Sequence, residues 1–115
     1  MEPIKYDLFK DSPLILEEIR WDMTPKMFMD PSSAPGDKPA DLTYGYMLYV
    51  DMMKDKPILA LMKMRPMICK SVAFIIDFPE DKLQSSIQNK EDSAEGMYPI
   101  DEELKTWLKK EFNAS

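Results

Sequence analysis

Apolar and polar side chains alternate with a period of two in three successive runs through the middle of the chain. Residues 43–52 set Tyr44, Tyr46, Leu48 and Val50 on one side and Thr43, Gly45, Met47 and Tyr49 on the other. Residues 58–65 set Ile58, Ala60, Met62 and Met64 against Leu59, Leu61, Lys63 and Arg65. Residues 71–78 set Val72, Phe74, Ile76 and Phe78 against Ala73, Ile75 and Asp77. This alternation is that of a β-strand. The connections are short, a turn at residues 54–57 (Lys-Asp-Lys-Pro) and a break at Pro66, and predict an antiparallel meander. Residues 18–24 alternate too, with Ile19, Trp21 and Met23 between Arg20, Asp22 and Thr24, and predict a further strand that Pro25 ends. Residues 13–17 fit a helix as well as a strand.

Toward the C-terminus the period lengthens. Pro79, Glu80 and Asp81 suit the first turn of a helix, where acids face the positive end of the dipole. Leu83 and Ile87 then form an i, i+4 stripe, predicting a helix over residues 79–89. A second helix is predicted over residues 101–112: Asp101 is a natural N-cap and Leu104, Trp107, Leu108 and Phe112 line one face. Lys109 and Lys110 stand in its last turns, the favourable end for positive charge. Residues 30–41, with Pro31, Pro35, Pro39 and Gly36, can continue neither a helix nor a ladder and read as a surface loop. The predicted fold is α+β: one domain over residues 1–115, with an antiparallel sheet of three to four strands packed on one face by the two C-terminal helices.

The sheet has two faces to cover. The side bearing Tyr44, Tyr46, Leu48, Val50, Ile58, Met62, Met64, Val72, Phe74, Ile76 and Phe78 is apolar throughout and is the expected core. The opposite side is about half apolar, more than a fully solvated face carries. With symmetric turns, Val50 faces Ile58 and Arg65 faces Ser71. Met47, Leu61 and Ile75 then form one cross-strand row, and Gly45, Lys63 and Ala73 the next. A slip of one residue destroys that arrangement. Either the N-terminal segment with Ile19, Trp21 and Met23 folds over this face, or part of it stays open to another chain. The candidate interface residues are Met47, Tyr49, Leu59, Leu61 and Ile75. Lys63 and Arg65 are the candidate contacts for an anion.

Composition narrows the chemistry. Among 115 residues there is no histidine, which removes the commonest general base and transition-metal ligand. A single cysteine, Cys69, excludes an intrachain disulfide and a thiolate cage, and without a histidine beside it a nucleophilic role is disfavoured. Acids outnumber bases 21 to 15, a net charge of −6, which disfavours nucleic acid and anionic membranes as partners. Gly36, Gly45 and Gly96 are too far apart to build a phosphate cradle. Asp30, Asp37 and Asp41 lack the spacing of a calcium loop, and Asp77, Glu80 and Asp81 at a strand-to-helix junction are explained by capping. The 11 methionines read first as adaptable filler and not as a copper site. No catalytic residue, cofactor or metal ligand is expected. Residues 1–10 mix two acids and two lysines, so no secretory leader is expected and the expected compartment is the cytoplasm.

These readings favour a small non-catalytic accessory subunit or interaction module whose partner is another protein subunit or a second copy of itself. The alternative is a small-molecule-binding protein or minor enzyme. Its pocket would lie between sheet and helices, lined by Tyr44, Tyr46, Met62, Met64 and Trp107, with Lys63 and Arg65 holding an anion. A closed core argues against that alternative and an open cavity argues for it.

Overall fold

The computed structural model describes residues 2–11, 16–42, 44–64, 72–88 and 90–112. Strand β1 (Ile4–Lys5) runs directly into helix α1 (Tyr6–Lys10), and helix α2 (Pro25–Met29) is followed by a 3-10 turn, Pro31–Ser33. Strands β2 (Tyr46–Met53), β3 (Lys56–Lys63) and β4 (Val72–Asp77) follow. Two 3-10 turns, Glu80–Leu83 and Ser86–Gln88, lead to strand β5 (Met97–Pro99) and helix α3 (Glu102–Glu111). The architecture is α+β, and the sheet order is β1-β4-β3-β2-β5. Its three long strands are the predicted meander. The sheet has five strands and is mixed, not three to four and antiparallel, because β1 joins β4 in parallel and β5 closes the other edge against β2. Strands of two and three residues are too short to show an alternation.

The register of the central hairpin decides which side chains share a face. The turn is two residues long: Lys54 and Asp55 have φ of 50° and 64°, and Met53 pairs with Lys56. Two positive φ values in a row define a type I′ turn, whose twist matches that of the strands it joins. Val50 therefore faces Leu59, not Ile58, and Met47 faces Met62. The next pairing is displaced by one residue as well, with Leu61 against Phe74 in place of Ile75. The two displacements add to two residues between β2 and β4, which keeps the faces of those strands and inverts β3 alone. Pro57 tolerates its place in β3 because it follows the hydrogen-bonded pair that closes the turn. At that point a backbone N–H would point away from β2.

Two separate cores result. On one side Leu48, Val50, Leu59, Leu61 and Ile76 meet Phe9 from α1 and Leu104, Leu108 and Phe112 from the α3 segment, with Ile19 and Leu83. On the other side Met47, Tyr49, Ala60, Met62 and Met64 meet Met23 and Met97, with Met27, Phe28, Ala40 and Leu42 packed around them. The second face is thus covered by α2, whose Thr24 side chain caps its first turn, and by the end of the proline-rich loop.

Two expected elements take other forms. Residues 79–89 form two 3-10 turns instead of one α-helix, although Leu83 is buried and Ile87 half-buried as the stripe requires. Ser85 and Ser86 redirect the chain here: Ser85 donates its hydroxyl to Asp101, and buried Ser86 Oγ accepts the Asp101 N–H at 3.1 Å. These bonds tie the second 3-10 turn to the start of α3. The predicted strand at residues 18–24 reduces to one parallel bridge between Ile19 and Tyr46. A turn from Arg20 to Met23 then carries the chain past the sheet, so Ile19 enters one core and Met23 the other. Of residues 13–17, 13–15 lie outside the described residues. The α3 helix matches expectation, with Asp101 Oδ1 accepting the Leu104 N–H at 2.7 Å.

Candidate functional site

The five candidate interface residues do not share a face. Met47 and Tyr49 are fully buried in the methionine core, and Leu59 and Leu61 are fully buried in the helix-side core. Ile75, opposite Ala60, is half-buried. The inverted β3 separates the pairs, and the chain's own elements cover both faces. Lys63 is exposed with its ammonium 5.5 Å from the Tyr46 ring, while Arg65 and Cys69 lie outside the described residues. The expected pocket does not assemble either. Met62 and Met64 lie beneath the sheet, Tyr46 and Trp107 above it, and Tyr44 stands exposed over Arg20.

A cleft of about 90 Å³ opens between the sheet and α3, bordered by Trp21, Met23, Leu48, Ile100 and Lys105. Small-molecule sites are usually several times larger. Two wider openings are grooves on the outside. One, of about 340 Å³, runs along the start of α3 between Asp81, Lys82, Ser85, Asp101, Glu103 and Trp107. The other, of about 450 Å³, lies where β1 and β4 end, between Lys5, Tyr6, Asp7, Asp77, Phe78 and Pro79.

A ridge of three aromatic rings joins the two grooves. Tyr6 stacks on Trp107 at 6.1 Å between centroids and meets Phe78 edge-on at 5.3 Å, and Phe78 meets Trp107 at 6.1 Å. Each ring arrives from a different element for a local reason. Tyr6 opens α1 immediately after β1, and its i, i+3 neighbour Phe9 anchors that helix in the core. Phe78 follows β4 on the core-facing parity. Trp107 lies at the margin of the buried stripe of α3, between Leu104 and Leu108, and remains 38 % exposed. Phe112 carries the ring contacts inward from Tyr6 to Phe9 and Trp21.

Lysines ring this cluster. Lys82 sits 4.9 Å from the Trp107 centroid, Lys10 5.8 Å from Tyr6 and Lys109 5.8 Å from Trp21. The Tyr6 hydroxyl donates to Glu111 Oε1 at 3.2 Å. Burial of the ring, reinforced by the Glu111 carboxylate, pushes its ionisation well above the usual tyrosine range. Among the described residues no three metal-ligating side chains converge. The ridge offers flat apolar area, quadrupolar ring faces and carboxylates at both margins.

Sequence reasoning named Trp107 but assigned it to an interior pocket. It missed Tyr6, whose spacing to Phe9 was the available signal. Comparison with known protein families, with curated proteins and with solved structures gives no match.

Proposed function

We propose that this chain is a small, non-catalytic, cytoplasmic interaction module or accessory subunit that meets its partner through the Tyr6–Phe78–Trp107 ridge and the grooves on either side of it. One observation carries this reading: Trp107 stands partly exposed on a ridge with an open groove on each flank, while both faces of the sheet are covered. Partly exposed tryptophan beside a groove is characteristic of contact surfaces, and tryptophan is among the residues that dominate binding energy there. No helix among the described residues is long and apolar enough to cross a membrane.

The test is the mass of the complex in solution. Light scattering of the full chain, alone and with the partner retained from its native lysate, should show a stoichiometric assembly. Trp107→Glu should dissolve it while the circular dichroism spectrum of the isolated chain is kept. An assembly indifferent to Trp107→Glu overturns the reading. A monomer that retains no protein also overturns it and favours the small-molecule alternative, for which the groove of about 340 Å³ beside Trp107 is the available site.

A further inference from the structure

We propose that the occupant of the ridge is a cationic segment of another protein, one that lays arginine or lysine side chains across Trp107 and into the flanking carboxylates. This rests on the interaction-module reading and specifies its partner. The two grooves are bordered by five carboxylates, Asp7, Asp77, Asp81, Asp101 and Glu103, against the lysines Lys5 and Lys82. Asp7 already pairs with Lys10 at 3.7 Å and Asp101 caps α3, so Asp77, Asp81 and Glu103 are the carboxylates open to an incoming cation. That imbalance sits directly beside exposed aromatic area, so one site offers both a ring face for an alkyl-cation side chain and counter-charges for its head.

Lys82 already shows what the ring takes. Its ammonium lies 4.9 Å from the Trp107 centroid, with both residues exposed, so the chain's own lysine occupies the position an incoming cation would use. The same charges argue against a second copy as occupant. A two-fold interface brings the patch against itself, and a patch with more carboxylates than lysines repels its own copy.

The probe is a capped hexapeptide of alternating arginine and leucine, with glutamine–leucine and glutamate–leucine versions as controls. Trp21→Phe leaves Trp107 as the single tryptophan reporter, and its fluorescence is titrated with each peptide. The arginine peptide should saturate the signal and weaken about tenfold or more between low and physiological salt, as exposed charge pairs are screened. Asp81→Lys combined with Glu103→Lys should lower its affinity about tenfold, while Asp37→Lys in the proline-rich loop leaves it unchanged. Lys82→Ala should raise the affinity roughly threefold by vacating the ring, an effect that a purely structural role of Lys82 would not produce.

Equal binding of the three peptides overturns the cationic partner, and so does weaker binding by Lys82→Ala. An assembly that Trp107→Glu dissolves, together with peptides blind to charge, overturns this inference and leaves the module reading standing. A homodimer through the ridge has the same consequence. No assembly and no peptide response overturns both.

Discussion

The two sides of one sheet are packed by different chemistry. Above it, branched aliphatic and aromatic side chains are gathered by a capped ten-residue helix and a chain of ring contacts. Below it, five buried methionines surround Tyr49 under a five-residue helix and the end of a loop rich in proline. A regular helix presents a repeating surface that rigid leucine and phenylalanine can match. An irregular cover does not, and methionine, unbranched with three rotatable bonds, fills the gaps it leaves. The composition of each core therefore follows the regularity of what covers it.

Truncation tests this most forcefully. Leu61→Ala above the sheet should cost about 3–5 kcal/mol, since its rigid neighbours cannot collapse into the space. Met62→Ala, one residue on and below the sheet, should cost nearer 2–3 kcal/mol because flexible thioethers can close part of the cavity. Urea unfolding followed by circular dichroism measures both, and equal losses would abolish the distinction. Gly45 lies in the seam between the two sides, with φ of 97°. A Cβ there would stand 2.7 Å from Arg20 Cγ and 2.8 Å from the Glu18 carbonyl oxygen. Gly45→Ala should cost on the order of 2 kcal/mol through strain and contact together, read as a lower unfolding midpoint.

Each core also holds a tyrosine that resists ionisation. Tyr6 above and Tyr49 below are both pushed upward mainly by burial, with Glu111 adding to the first and Asp51 to the second. The folded chain keeps protons that the unfolded chain releases near pH 10, so stability is full below that point and falls as pH rises beyond it. Absorbance of tyrosinate during alkaline titration should contain a step that coincides with unfolding. Tyr6→Phe and Tyr49→Phe should each remove part of that step. If only one does, the two cores differ in access to hydroxide as well as in packing.

The smallest effect belongs to the clasp at the seam. Arg20 holds Asp22 through two bonds of 3.1 Å and donates a third, at 3.0 Å, to the Asp41 carbonyl. The bond from Arg20 draws the Asp22 carboxyl below the usual range. Its contribution is present above an ordinary carboxylate pKa and disappears as pH falls through the depressed value. Asp22 is 71 % exposed, so screening limits the effect to about 0.5 kcal/mol. Asp22→Asn should lower neutral stability by about that amount and leave stability in acid unchanged, so the acid limb of the stability–pH curve flattens.

Much of this was legible in the chain itself because it is written in long periodic runs. Three strands, the Asp101 cap and the buried stripe of Leu104, Leu108 and Phe112 follow from periodicity and capping chemistry alone. The register did not, because Lys54-Asp55 adopts two positive φ values without the Asn-Gly or Asp-Gly pair that marks such turns. One residue of error moved Leu59 and Leu61 to the wrong side, and with them the supposed interface. The 3-10 turns at residues 80–88 were hidden because their cause is tertiary, the bonds of Ser85 and Ser86 to Asp101. The aromatic ridge was hidden for a similar reason: its three rings come from α1, the end of β4 and α3, and no local pattern joins them.

The parallel edge strand has a consequence for how the chain folds. Ile4 and Lys5 find their partners in Ile76 and Asp77, about seventy residues further along, so a long loop must close before this edge can form. The antiparallel hairpin of β2 and β3 can close earlier from neighbouring segments. β1 is thus among the last elements to dock. Since β1 leads directly into Tyr6, the three rings come together only once that long-range pairing has formed.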